Sequence, residues 1–506
     1  MKTKKILSAV LAGVMALGIT ACGNSDNSGN SLPTGEATTT ENAANIEFTE
    51  AEVVDIDEDA PTGTIKWLMY EDLLTNDAEM VALFEERYGG TIEQEVTSSG
   101  AGYFEKLGTL IASDLSPDIV RYEWMSFPHG MSKNMYTPLD SYVDLDSDLW
   151  SGIKEIADQY VYCGKHYYIP YKITRSFALN YNKRVLEEAG MDDPYELYKA
   201  GNWTWTTFKD LLIEWCNKDD AHIGYTGVGG MSFVATTGTK MIEVTADGQI
   251  INNMKDQNIQ RAMEFLESLY KEGLVGEGYV APEEAFKDGN LLFLGMEPEW
   301  TYGAASKQLT KDGIDHELGI LPFPRDEKAD KYYIAYDSYG YMVPSGAKNV
   351  KGAIDWITLN RIEATDPENI AEAKADALST DPIYYPKCPG CGHIFVEDVD
   401  DDLTVCPECD TARKEKFKVV YTEEVYDVFM ELCNPESETF SFLFDNCFGF
   451  NSDMTLLFQG AGEETLLDGP LFFGSSYTTL RDQLYGTVES YLDPYREKMA
   501  QDITAE

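Results

Sequence analysis

Positive charge is scarce in this 506-residue chain: 39 Lys and Arg stand against 88 Asp and Glu, for a formal net charge of −49. Nucleic-acid binding needs cations opposite phosphate, so that class is excluded. Long apolar runs are also lacking. After Thr20 no stretch reaches the length of a membrane-spanning helix. Three catalytic signatures are missing too: the nucleophile elbow, the zinc-protease helix and the phosphate-binding loop. The acidic run Glu397–Asp402 lacks the glycine and closing glutamate of a calcium loop and reads as a solvated hairpin tip.

The composition is otherwise that of a globular protein, 43% hydrophobic, and the length calls for two or more domains. Tyrosine is abundant at 31. Packing at half-exposed positions uses most such residues; a wet, aromatic-lined binding site is the other use.

The N-terminus carries Lys2, Lys4 and Lys5, an apolar stretch Ile6–Thr20, then Ala21-Cys22 and polar spacer. This resembles a bacterial lipoprotein signal, with residues 1–21 removed and Cys22 lipidated. A plain signal peptide with an incidental cysteine is the alternative, and Ile19-Thr20 departs from the usual residues before the cysteine. A lipidated Cys22 would hold the protein at the cell membrane, on its extracellular face. Residues 22–60 have few large apolar side chains and read as a flexible linker reaching about 35 Å.

From Gly63 a strand–helix rhythm sets in, predicting an α/β fold with a parallel or mostly parallel sheet. Strands are expected at Thr64–Met69, Thr91–Val96, Pro117–Arg121, Phe177–Asn182, Leu291–Met296, Leu318–Phe323 and Tyr339–Val343. Asn76 or Asp77 is a candidate cap for the helix through Tyr88, which Gly89-Gly90 stop. Thr206 or Thr207 is the expected cap for a helix over Trp205–Cys216. The tail Ser476–Ala500 reads as helix with Pro494 marking a break or a start. Trp67, Trp203 and Trp205 read as packing residues.

Ligands of α/β sheets sit past the carboxyl ends of strands. Four such ends here combine carboxylates with aromatic faces: Tyr70-Glu71, Glu123-Trp124, Glu299-Trp300, and Asp337 with Tyr339. Sugars present hydroxyl edges and flat C–H patches, which that mixture suits. The bland reading of each tryptophan is core packing.

Tyr103–Val120, the GKHYYIPYKITRSFALNYNKR run from Gly164, Phe286–Trp300 and Leu318–Gly346 resemble signatures of the extracellular solute-binding proteins of ABC importers, the maltose-binding-like (family 1) sugar binders. The resemblance implies a two-lobed periplasmic-binding-protein-like fold (type II) with interleaved lobes. Lobe one would hold residues 61–178 and 340–380, and lobe two 179–339 and most of 414–506. It implies a carbohydrate ligand, an ABC permease as partner, a monomer, and no enzymatic activity. By the same resemblance Glu71, Glu123, Trp124 and Trp300 surround the cleft, with Trp300 under a sugar ring; Tyr171 and Tyr339 lie near the crossovers. A glycoside hydrolase, or a binder of peptides or polyamines, is the competing function.

The chain departs from that family at 384–413. Cys388-x2-Cys391 and Cys406-x2-Cys409 match the two knuckles of a structural zinc ribbon. Disulfides are the rival in an exported protein, and iron a lesser one. His393 reads as a surface residue, since four thiolates already fill the shell. Cys163, Cys216, Cys433 and Cys447 have no ligand spacing; Cys433 and Cys447 could pair or stay free.

Overall fold

The computed structural model describes residues 45–505 except 58, 100, 176, 277, 279, 386, 395–402 and 461. The signal, Cys22 and the acidic hairpin tip lie outside the described residues.

β1 (Thr64–Met69) buries Ile65, Trp67, Leu68 and Met69. Trp67 meets Tyr341 and Trp356 edge-on, as a core residue. α1 (Ala78–Tyr88) ends at Gly89, whose φ of 66° is the left-handed turn a Cβ disfavours. Asp77 stands at its N-cap without a capping side-chain hydrogen bond. β2 (Thr91–Val96), α2 (Ala101–Ala112) and β3 (Ile119–Arg121) follow, with β2 and β3 both parallel to β1. The buried Asp118 knots this region: it accepts from Lys66 N–H at 2.8 Å, Lys348 N–H at 2.8 Å and Asn349 N–H at 2.7 Å.

β4 (Ile169–Arg175) is the last strand of this sheet, and β5 (Ala178–Asn182) already belongs to the second. α3 (Trp205–Cys216), β6 (Ile223–Gly227), α4 (Gly230–Ala235), α5 (Gln257–Lys271), β7 (Leu291–Met296), α6 (Pro298–Lys311) and β8 (Leu318–Leu321) build lobe two. The second sheet has the order β8-β5-β7-β6. Every residue of β7 is buried. The cap of α3 is Thr204, not Thr206 or Thr207: Thr204 is extended, and its hydroxyl accepts from Thr207 N–H while Thr207 Oγ1 accepts from Thr204 N–H. Trp203 and Trp205 are buried and donate to Pro322 O and Thr236 Oγ1.

β9 (Tyr332–Ala335) leads back into β10 (Asp337–Met342), which lies antiparallel between β3 and β4 and completes a five-stranded sheet. Within this first sheet the expected parallel order therefore holds for β1–β3 alone. β10 arrives from the other lobe and not through a helix on its own sheet, so no βαβ crossover sets its direction. In the second sheet β6 and β7 are parallel and β5 is antiparallel to both its neighbours.

α7 (Val350–Thr365) and α8 (Pro367–Leu378) pack on lobe one. A two-strand neck, β11 (Ile383–Tyr384) with β12 (Glu415–Lys416), carries the cysteine insert. α9 (Glu423–Leu432) packs on β8, and β13 (Phe440–Leu443) pairs in parallel with β9. α10 (Tyr477–Ala505) runs through Pro494 unbroken. Tertiary ties hold it on both sides of the proline: Tyr477 Oη donates to Met254 O at 2.8 Å, Arg496 Nε to Ile250 O at 3.0 Å, and Tyr162 Oη to Asp502 at 2.8 Å.

The segment read as free linker up to residue 60 is docked from Glu47 onward. Phe48 N–H donates to Lys133 O, Asn134 Nδ2 to Phe48 O, and Val54 N–H to Tyr142 Oη. Phe48 and Ile56, two of its few large apolar residues, pack on the core.

On lobe one, His166 lies 2.7 Å from Asp140 and 3.1 Å from Asp158. Burial alone would lower the imidazole pKa, but the two carboxylates raise it above 6.5. Asp140 is lifted by burial yet held below its ordinary value by His166. A raised histidine stabilises fully below its unfolded pKa and loses that contribution as pH rises through the folded value. A depressed carboxylate loses its contribution as pH falls. His166→Gln is therefore expected to cost about 1 kcal/mol near pH 6 and less in alkali. Urea unfolding at the two pH values measures it; an equal cost at both would refute the charge coupling.

Candidate functional site

The end of β3 carries a charged and aromatic cluster. Arg121 Nη1 pairs with Glu71 Oε2 at 3.1 Å, and its guanidinium lies 3.9 Å from the Tyr339 ring centre. Tyr70 Oη donates to Glu123 Oε1 at 2.6 Å. Tyr171 stacks near-parallel to both Tyr339 and Tyr341. Burial pushes the Glu123 carboxyl above its ordinary range, with Arg121 opposing. Burial, then the Glu123 charge, raises the Tyr70 phenol. Arg121, on β3, joins Glu71, just past the end of β1, to Tyr339 of β10, and so fixes where the following Glu123-Trp124 turn leaves the sheet.

Beyond that turn lies a cavity of about 110 Å³ between the lobes. Trp124 lines it from lobe one; Phe177 and Tyr336-Asp337 come from the two crossovers, and residues 228–232 from lobe two. Phe444, Phe448, Leu467 and Asp468 close it from the C-terminal part. Trp124 is 41% exposed, and its ring stacks on Phe448 at 5.1 Å and 20°. An indole held flat on a phenyl and still open to solvent is a ready face for a ligand ring. The Asp468 carboxyl accepts from Gly460 N–H at 3.1 Å, and burial pushes it up to about 6.

Of the nine ligand candidates, Trp124 and Asp337 line this cavity. Tyr70, Glu71, Glu123, Tyr171 and Tyr339 form the neighbouring cluster. Glu299 and Trp300 sit in the first turn of α6, not at a bare strand end. Trp300 is half-buried against the core. The Glu299 charge acts on Lys172, Cys433 and Tyr421. Burial drives the Lys172 amine down, with Glu299 and Asp77 opposing.

Sequence reasoning missed the walls at 228–232 and 443–468. The Gly229-Gly230 pair was the one local signal: a Cβ on Gly229 would come within 2.2 Å of Tyr225 Oη, so packing against that buried ring excludes a side chain there. The C-terminal wall has no local signal, because it meets Trp124 more than 300 residues along the chain.

The insert places Cys388, Cys391, Cys406 and Cys409 with their sulfurs all within 4.8 Å of one another. Cys388–Cys409 and Cys391–Cys406 are each 3.6 Å apart. A tetrahedron of Zn–S bonds of about 2.3 Å has edges of about 3.8 Å, so the spacing fits a bound metal. The two knuckles repeat one turn. Cys388 N–H donates to His393 O and Gly392 N–H to Cys388 O; Cys406 N–H donates to Thr411 O and Asp410 N–H to Cys406 O. Gly392 and Asp410 hold equivalent positive φ angles of 79° and 54°. A Cβ on Gly390 would meet Thr411 Oγ1 at 2.4 Å, and its N–H donates to Cys388 Sγ at 3.3 Å. The four cysteines thus form a structural metal site of zinc-ribbon type. Cys216, Cys433 and Cys447 form no disulfide, so Cys433 and Cys447 do not pair.

Purified protein is expected to hold one zinc per chain, and the Cys391→Ser, Cys409→Ser double variant to lose it. The lobes should keep their main thermal transition, since Tyr421 N–H donates to Ala377 O and ties the two ends of the insert together. Elemental analysis with calorimetry measures both; metal-free wild type carrying two disulfides would refute the site.

The family model described as bacterial extracellular solute-binding protein matches residues 79–377, more than half of the chain and ending just before the insert. No curated protein matches. Among solved structures, the galacto-N-biose/lacto-N-biose I-binding protein of a Bifidobacterium longum ABC transporter, in complex with lacto-N-biose, is 13% identical with a TM-score of 0.54, covering 86% of this chain and 98% of its own. The GacH receptor of Streptomyces glaucescens, studied unliganded and with acarbose, is 15% identical with a TM-score of 0.53, covering 87% and 98%. An ABC-transporter-associated binding protein from B. animalis subsp. lactis, in complex with β-1,6-galactobiose, is 15% identical with a TM-score of 0.51, covering 84% and 98%. These likenesses show a shared two-lobed α/β fold, one that matches non-catalytic binding proteins.

Proposed function

The chain belongs to the bacterial extracellular solute-binding proteins, and from that footing we propose that it captures a carbohydrate, an oligosaccharide in the first instance, between its lobes and hands it to an ABC permease. The supporting observation is the cavity itself. It is walled by the Trp124–Phe448 stack and edged by Asp337 and Asp468, which suits a ring with an apolar face and hydroxyl edges. Three structural relatives, in complex with β-1,6-galactobiose, lacto-N-biose and acarbose, favour the same ligand class. Lobe one, residues 61–178 with 340–380, closes on lobe two about the Phe177 and Tyr336 crossovers. The protein acts as a monomer, held to the outer face of the cell membrane by lipid on Cys22. The linker is shorter than its composition implies, since the chain is docked from Glu47. Peptide and polyamine ligands are outcomes of the binding test.

Titration calorimetry against neutral oligosaccharides is expected to find a ligand that Trp124→Ala binds about tenfold or more weakly, through loss of the stacking face. Trp300→Ala, at the start of α6, is expected to lose less. Unchanged affinity in Trp124→Ala would remove this cavity as the binding site. Cys22→Ala is expected to shift the protein from the membrane fraction to the medium; retention on membranes would refute the anchor.

A further inference from the structure

Charge around the cavity is one-sided. Among its described lining residues are Asp337, Asp445 and Asp468, and no Lys, Arg or His. Two nearby cations are engaged behind the wall, and Asp337, opposite Arg175 in the strand register, is itself partnered within the protein. Arg121 is paired with Glu71 and seated on Tyr339. Lys240 acts on Asp445, whose carboxylate accepts from the N–H groups of Met241, Ile242 and Cys447. Asp445 is therefore structural and contributes mainly its field. Asp468 is differently placed: half-buried, on the C-terminal wall, it spends one oxygen on Gly460 N–H and faces a cavity whose other walls are mostly aromatic and aliphatic. Burial lifts its pKa to about 6, which leaves it ionised at neutral pH. Glu123 adds to the same sign, since its charge and that of Asp337 act on each other.

We propose that the cleft is a charge filter: it admits neutral glycans, holds glycans bearing a protonated amino group most tightly, and turns away uronic-acid glycans, with Asp468 as the residue that reads the ligand's charge. This rests on the carbohydrate reading above and deepens it. A carboxylated sugar would bring like charge against Asp468 in a partly desolvated site, where Coulomb terms are several times stronger than in water. An ammonium group would gain that carboxylate and the exposed face of Trp124 besides. A neutral ring would gain the stacking face and hydroxyl hydrogen bonds alone.

The test is calorimetric titration of the whole mature chain at neutral pH with four probes: a glucosamine tetramer, the matching N-acetylglucosamine tetramer, tetragalacturonate and spermidine. The expected order is amino over neutral over acidic, with about tenfold or more between the first and the last. In Asp468→Asn the ratio of amino to neutral affinity should fall toward one, and Asp337→Asn should lower it less. The ratio is read because absolute affinities also shift in these variants. Tetragalacturonate binding as tightly as the neutral tetramer overturns the filter, as does a ratio unmoved in both variants. Glycans that bind without regard to charge leave the carbohydrate reading standing and sink the filter. Spermidine bound with no glycan bound does the reverse. No binding by any probe counts against both.

Discussion

Each lobe's share of the cavity is referred to the two places where the chain passes between the sheets. β4 leaves lobe one and becomes β5 of lobe two; β9 returns and becomes β10. The short connections carry Phe177 and Tyr336, with Asp337 at the start of β10, so the crossovers form the cavity floor. Backbone hydrogen bonding enforces this economy. A buried connection would strand its N–H and C=O groups, whereas a strand that ends in one sheet and resumes in the other keeps nearly all of them paired. β10 is sealed between β3 and β4, and its bulged register against β4 lies beside Asp337 and Tyr339. Irregular pairing at that point re-aims side chains toward the gap between the lobes.

Buried charge is managed by fixed partners on lobe one. Asp118 spends its oxygens on three backbone N–H groups and locks the entry of α7 to β1 and β3. Arg121, three residues on, gathers Glu71 from just past β1 and Tyr339 from β10. Removing one partner of such a group leaves the other desolvated, which costs far more than the pair contributes. Glu71 and Glu123 are accordingly part scaffold. Each has one oxygen committed within the protein, and the orientation of Trp124 depends on that commitment.

The cysteine insert follows a different logic. Its neck springs from the point where the chain passes from α8, on lobe one, to α9, on lobe two. Lys374 Nζ bridges that junction to Asp427 at 2.6 Å. The excursion is too small to bury a core of its own, and four thiolates around a metal supply the cohesion that apolar area cannot. Its geometry is set locally by two repeated turns, which is why it was legible from spacing alone.

Legibility followed the range of the interactions. Helix stops such as Gly89, the buried strand Leu291–Met296, the core role of Trp67 and the two cysteine knuckles are written in contiguous residues, whose local chemistry suffices to set them. The α/β class and the placing of Glu123-Trp124 at a strand end came from the same periodicity. Other features came only with the tertiary structure: the antiparallel return of β10, the docking of residues from Glu47, an unbroken helix through Pro494, and Phe448 with Asp468 in the cavity wall. Each of these depends on partners far along the chain. A hydrophobic period tells a residue that it will be buried or exposed, but which distant surface covers it is settled by packing of the whole.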